Sequence, residues 1–155
     1  MIKYRKAKLS DAKQIGELLK RGFRIDSAKE GVYVFKQESE TGHTYYIAED
    51  GNKIVGAIAW RRIGLPKHML GKITRFTVAD GYEKIQETLF KKAVQELDKE
   101  YRAKGLHLRK IYLNVHANNK MLQKFYEKVG LIKEATLKDH FYKGIDEYMY
   151  SMFFE

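Results

Sequence analysis

The 155-residue chain contains no cysteine, which excludes a disulfide framework, a cysteine-based zinc site and a thiol nucleophile together. It has a single proline and no Pro/Gly/Ser-rich tract, so nothing marks a linker, and one domain over residues 1–155 is expected. Long apolar runs are also missing. Stretches such as Ile54–Trp60 are far too short to span a bilayer, and no membrane partner is expected. Met1-Ile2-Lys3-Tyr4-Arg5 has no apolar stretch that could act as a signal peptide, so a cytoplasmic protein is expected. The five histidines are scattered, with no close pair at helical spacing, and no metal site is expected. Acids are the scarcer charge: 30 Lys and Arg against 20 Asp and Glu give a formal net charge of +10. The many Lys, Glu, Tyr and Ile residues, with few Gln, lean toward a thermophilic source.

What is present is enough apolar material for a core, 44% of the residues, with 13% aromatic. Two stretches carry bases and no acids. Lys53, Arg61, Arg62, Lys67, Lys72 and Arg75 lie between Asp50 and Asp80, and a similar run lies between Glu100 and Glu127. Such surface attracts a polyanion, nucleic acid or a phosphorylated cofactor, or is a solvated basic face. Tyr45-Tyr46, Trp60, Phe141-Tyr142 and Tyr148-Met149-Tyr150 lie near bases, as in a stacking platform for nucleic acid. Aromatics alternating along strands are more often core, and no recognised binding motif accompanies the charge.

The elements follow from periodicity. Ile2, Tyr4 and Ala7 alternate with bases as a strand, and Ser10 then caps a helix carrying Ile15, Leu18, Leu19 and Phe23. Arg24–Glu40 reads as a short helix and a loop. Thr44–Glu49 and Lys53–Arg62 read as a hairpin around Asp50-Gly51-Asn52. Ile63–Leu70 reads as a loop and Gly71–Val78 as a strand. Ile85 to Tyr101 forms a helix that Gly105 closes. Lys110–Val115 is a strand, and Asn118 or Asn119 caps a helix ended by Gly130. Leu131–Leu137 and Glu147–Phe154 are closing strands joined through a Lys138–Asp146 connection. The fold class is therefore α/β (α+β), a mixed sheet of six or seven strands with helices on its faces.

Val115, Asn119 four residues on, Phe125-Tyr126 and Glu127-Lys128-Val129-Gly130-Leu131 stand at the spacing of a known late motif. With the opening Tyr4-Arg5-Lys6-Ala7, Ser10-Asp11 and the hairpin ending Ile54-Val55-Gly56-Ala57-Ile58-Ala59, the chain resembles the GNAT superfamily of acetyl-CoA-dependent N-acetyltransferases. The resemblance spans nearly the whole chain. It implies a mostly antiparallel sheet, acetyl-CoA as acyl donor, an amine acceptor, and a monomer or homodimer. It also implies that acetyl-CoA lies where two parallel strands, Ile73–Val78 and Lys110–Val115, splay apart. The backbone of Phe76, Thr77 and Val78 would pair with the pantetheine arm and polarise the thioester. Lys84, Ile85 and Gln86 would lie by the pyrophosphate. Asn119 is read as a ligand of the arm or as a helix cap. Tyr126 is read as the acid that protonates the leaving thiolate, or as a core aromatic.

Arg75 and Asn114, on the central strands, cannot serve as a base, so His116 and Glu49 are the candidates, with His43 and His68 on loops. The acceptor site is expected between the first helix, Arg24–Glu40 and Lys138–Asp146 with His140; a small amine, a peptide N-terminus and a protein lysine are all open. One departure stands out. The family's phosphate loop needs glycines for close backbone approach, yet only Gly81 follows Val78, among Asp80, Glu83 and Glu87. Asp80 and Glu83 read as a capping pair. A GNAT-fold binding or regulatory protein with weak or lost CoA binding is therefore the alternative, and a basic nucleic-acid-associated protein the second.

Overall fold

The computed structural model describes residues 1–23 and 25–155; of the Arg24–Glu40 segment, Arg24 lies outside the described residues. Seven strands form one sheet: β1 (Ile2–Lys6), β2 (His43–Asp50), β3 (Lys53–Ile63), β4 (Leu70–Val78), β5 (Lys110–His116), β6 (Ile132–Tyr142) and β7 (Ile145–Phe153). Among the described residues, four α-helices join them: α1 (Ala12–Gly22), α2 (Ala28–Glu40), α3 (Gln86–Arg102) and α4 (Lys120–Lys128). The strand order is β1-β2-β3-β4-β5-β7-β6, and every pairing is antiparallel except β4 with β5. The expected mixed, mostly antiparallel sheet with helices on both faces is what forms.

The two faces are set by strand alternation. Tyr45 and Thr77 point toward α1 and α2: Tyr45 packs edge-on against Phe35 of α2, and Thr77 lies against Gly22 of α1. Tyr46, Trp60 and Phe76 point the other way, where Trp60 Nε1 donates to Glu100 of α3 at 3.0 Å. Tyr45, Tyr46, Trp60 and Tyr150 are thus core, which leaves exposed Phe141 and Tyr142 and half-buried Tyr148 and Met149 of the stacking platform.

Two expectations are corrected. The second helix is not short: Ser27 caps it, accepting from the Glu30 N–H at 3.0 Å, and it runs to Glu40. The Lys138–Asp146 connection is mostly strand, because β6 continues to Tyr142 and turns at Lys143-Gly144. At the hairpin of β2 and β3, Gly51 takes φ 62°, as the Asp-Gly turn requires. Helices α1 and α2 cross where Gly16 meets Gly31; a Cβ on Gly16 would lie 2.7 Å from the Ala28 carbonyl oxygen and the Val32 side chain. That close approach fixes α2 over the sheet. Among the described residues, no helix is long and apolar enough to cross a membrane.

Candidate active site

Strands β4 and β5 begin as a regular parallel pair, with Leu70, Gly71 and Lys72 opposite Lys110, Ile111 and Tyr112. There the pairing stops. The register of β4 with β3 shifts at the same level: Ala59 faces Arg75, Trp60 faces Ile73, and Thr74 is the extra residue of a bulge. A bulge bends and twists its strand, so β4 leans toward β3 while β5 stays registered with β7 along Lys110–His116. A wedge opens between Thr74–Val78 and Leu113–His116.

Backbone direction makes this opening polar. The Ala79 N–H donates to the Val55 carbonyl at 2.8 Å. By alternation, the N–H groups of Phe76 and Val78 point away from β3, into the wedge, and among the described residues no β5 residue is registered opposite them. Unpaired strand amides accept an amide-bearing arm as another strand would. The residues present therefore fit the pantetheine portion of acetyl-CoA. Thr77 pairs with Ala57 of β3, and its side chain lies against α1, so it does not face the opening.

Behind the wedge stand Phe76, Phe90, Phe125 and Tyr126. Phe76 stacks on Phe125 at 5.5 Å between centroids, and the Tyr126 ring lies 6.3 Å from Phe76 and 6.2 Å from Tyr150 of β7. Tyr126 thus bridges the two strands flanking β5. It is 4% exposed, and its hydroxyl makes no hydrogen bond among the described residues. Burial pushes its phenol well above the ordinary tyrosine range, so the proton is held at neutral pH. The Tyr150 phenol, by contrast, donates to Glu127 at 2.7 Å, and burial and that carboxylate push it up to about 12.

Beyond the end of β5, the Asn119 Oδ1 accepts from the Leu122 N–H at 3.2 Å and caps α4. Gln123 is buried and donates to the carbonyls of His116 and Ala117 at 3.0 and 2.9 Å, fixing the turn. His116 faces Glu147 across β5 and β7. Its Nδ1 touches the Glu147 carboxylate, neither atom has another partner among the described residues, and Nε2 is left free of that contact. Glu147 is 4% exposed. Next to this pair, Ala117, Asn118, Gly144, Ile145 and Asp146 line a cavity of about 170 Å³.

The other candidates lie elsewhere. Glu49 accepts from Arg5 Nε and Nη2 at 3.1 Å each, while Arg5 also holds Asp11; the guanidinium keeps the Glu49 carboxyl below the usual range. Glu49 is thus committed to an ion-pair cluster joining β1, β2 and the turn before α1. His68 Nδ1 accepts from the Leu65 N–H in a tight turn, and His140 is exposed against Phe141. Lys84 is exposed; Ile85, half-buried, packs under Gly56. Gln86 opens α3, and a 3-10 turn over Glu83–Ile85 leads into it.

The loop after Val78 does not use Asp80 and Glu83 as a joint cap. Asp80 pairs with Arg21 of α1, and a Glu83 oxygen accepts from the Gly81 N–H at 3.3 Å. Gly81 takes φ 86° with open space where a Cβ would stand. The one glycine amide suited to a phosphate is held by a carboxylate of the same loop.

Periodicity could not find three further residues. Glu147 reads as an ordinary outward strand acid until the register sets it on His116. Thr74 is visible only through the bulge. Glu38, in α2, accepts from Arg75 at 2.9 and 3.3 Å and from the Tyr45 hydroxyl.

The acetyltransferase (GNAT) family model matches residues 12–131. The chain belongs to the GNAT family. Among solved structures, a GNAT-family protein from Desulfovibrio desulfuricans is similar at TM-score 0.82, with 16% identity and 99% of each chain covered. A GNAT acetyltransferase from Streptococcus pneumoniae gives 0.74, 20% identity and full coverage of both chains. The spermidine N-acetyltransferase of Vibrio cholerae gives 0.74 and 20% identity over 98% of this chain and 93% of that one. No curated protein matches the chain by sequence. At such identities the likeness is one of fold, which GNAT chains share across different acceptors.

Proposed function

We propose that this GNAT chain transfers an acetyl group from acetyl-CoA to a primary amine by direct attack. The observation that carries the reading is the parting of β4 from β5 beyond Lys72 and Tyr112, with the Phe76 and Val78 amides directed into the gap.

Acetyl-CoA supplies a thioester carbon open to a nucleophile, with its arm along Phe76 and Val78. The Val78 N–H, preorganised by the strand, donates to the carbonyl oxygen as it gains charge. His116 Nε2 takes the proton that the acceptor nitrogen loses as its bond to the acyl carbon forms. Glu147, touching Nδ1, orients that ring and balances its charge. Tyr126 gives its proton to the sulfur as the carbon–sulfur bond breaks, so one proton leaves nitrogen and one arrives on thiol. Glu49 has no part in this scheme, because Arg5 holds it. Asn119 acts as the cap of α4 and sets the tilt of the helix that carries Tyr126.

Thermal-shift titration with acetyl-CoA, followed by thiol release in the presence of mixed amines, tests the reading. Saturable stabilisation with amine-dependent release is the expected result. No stabilisation at millimolar acetyl-CoA overturns it. One observation favours the second reading, a GNAT-fold binding protein with weakened CoA affinity: the Glu83 carboxylate on the Gly81 amide. Stabilisation without turnover of any amine would select it.

A further inference from the structure

Helices α1 and α2 cover only part of their side of the sheet: α1 packs chiefly on β3 and β4, and α2 on β2. Strands β5, β7 and β6 continue that side beyond them. A Cβ on Gly71 would meet Leu97 of α3, so Lys72 and its partner Tyr112 point the opposite way, toward the α1 and α2 side. Cross-strand pairing carries this side over β7 and β6 in rows: Tyr112 with Ser151 and Ile132, Asn114 with Met149 and Ala135, His116 with Glu147 and Leu137. Phe153 lies opposite Lys110 at the far end. The reverse side of these strands is packed, with Tyr150 against Tyr126 and Glu127 of α4. The α1 and α2 side is not: Tyr112, Met149, Ala135 and Leu137 are half-buried, and Ile132 and Phe153 are 57% and 54% exposed.

This open strip begins at the proposed reaction centre. His116, the base, stands in its first row, while Phe76, Phe90, Phe125 and Tyr126 fill the reverse side of the wedge. The amine therefore arrives over β5 and β7, and whatever carries it lies along the strip. From His116 down to Lys110 and Phe153 is about 20 Å along the strands, the reach of an extended chain of about six residues. Charge narrows the occupant. Lys110 pairs with Glu134 and His116 touches Glu147, so these rows offer a polyanion no free cation. Two copies of a chain of net charge +10 repel one another. A small amine covers only the His116 end. An extended polypeptide, turning every second side chain to the sheet, matches an apolar strip of this length.

We propose that the acceptor is a polypeptide, laid as an extended segment along the open β5–β7–β6 face with its amine at His116 and apolar side chains on Met149, Ile132 and Phe153. This rests on the transferase reading for the reaction, though the docking face itself does not need it. Successive rows lie two residues apart. Counted from the residue that carries the amine, the third side chain therefore falls at Met149, the fifth at Ile132 and the seventh at Phe153.

The test compares a seven-residue peptide amide carrying leucine at positions three, five and seven with the same peptide carrying serine there, and with its first two residues alone. It is run with a free N-terminus and again with a blocked N-terminus ahead of lysine, which tells an N-terminal amine from a lysine nitrogen. In the form that reacts, the leucine peptide is expected to have kcat/KM about tenfold above both comparators, less than the full worth of one buried leucine. The Ile132→Ser/Phe153→Ser variant, altered at two exposed side chains, should lose most of that advantage. Equal use of leucine and serine peptides, faster use of the two-residue amide, or an advantage untouched by the double variant overturns the proposal. So does a dimer in sedimentation that the double variant dissolves, since a second copy then covers the face. The leucine peptide is also titrated without acetyl-CoA and followed by backbone amide NMR. Saturable shifts at residues 132, 149 and 153 are expected, and no shift overturns the docking face even if no acceptor reacts. Acetyl-CoA titrated into the same samples separates the two ideas, since its failure to bind removes the transferase reading alone.

Discussion

Lys72 and Tyr112 form the last pair in the parallel register of β4 and β5, and the lysine Nζ lies over the tyrosine ring. Two residues beyond, the Thr74 bulge turns β4 away. Every proposed role depends on that parting, because a continuous ladder would occupy the Phe76 and Val78 amides and close the wedge.

Tyr126→Phe removes a hydroxyl that makes no hydrogen bond among the described residues. Turnover should fall about 100-fold, at the low end of general acid contributions. Acetyl-CoA affinity and Tm should stay close to the parent. Steady-state kinetics beside calorimetric titration and a melt check this, and unchanged turnover removes Tyr126 from the mechanism.

Glu147→Gln keeps shape and removes the charge beside His116. The expected result is a fall in kcat of tenfold or more with the acceptor KM little changed, and partial rescue in Glu147→Asp. A merely structural role would instead lower Tm and raise KM together.

Glu83→Gln weakens the internal anion on the Gly81 N–H. Acetyl-CoA should bind a few-fold tighter, the scale of one exposed charge near a helix start. Calorimetric titration reads the change, and weaker binding would mean that Glu83 supports the loop instead of competing with the ligand.

Glu38→Gln leaves Arg75 without its counter-ion against Phe23 and should cost about 2 kcal/mol, less than a fully buried pair because both groups are partly exposed. Burial alone would raise the Glu38 pKa, but the hydrogen bonds from Arg75 and Tyr45 hold it below the usual range. The folded chain therefore keeps this carboxylate ionised to lower pH than the unfolded chain. Its contribution is present above the ordinary glutamate pKa and is lost as pH falls through the lowered value. Urea denaturation from pH 7 downward should show a shallower acid decline in Glu38→Gln than in the parent.

Strand and helix order was legible because it rests on local chemistry. Alternation in Lys53–Arg62, the Asp50-Gly51 turn, the helical spacing from Ile85 to Tyr101 and the cap at Asn119 each involve residues close in sequence. The late motif from Val115 to Leu131 carried the family for the same reason. The Ser27-Glu30 cap of α2 was equally local and went unread, since an ambiguous apolar pattern follows it.

The sequence by itself determined the family and the order of strands and helices along the chain, and through the spacing of the late motif it put Tyr126 forward as the candidate acid. Only the tertiary structure decided that Glu49 belongs to Arg5 and Glu147 to His116, and that α1 and α2 leave the sheet face beside His116 open. The reason is physical. Which residues meet across strands depends on register, and a one-residue bulge such as Thr74 resets register without leaving any periodic trace in the chain.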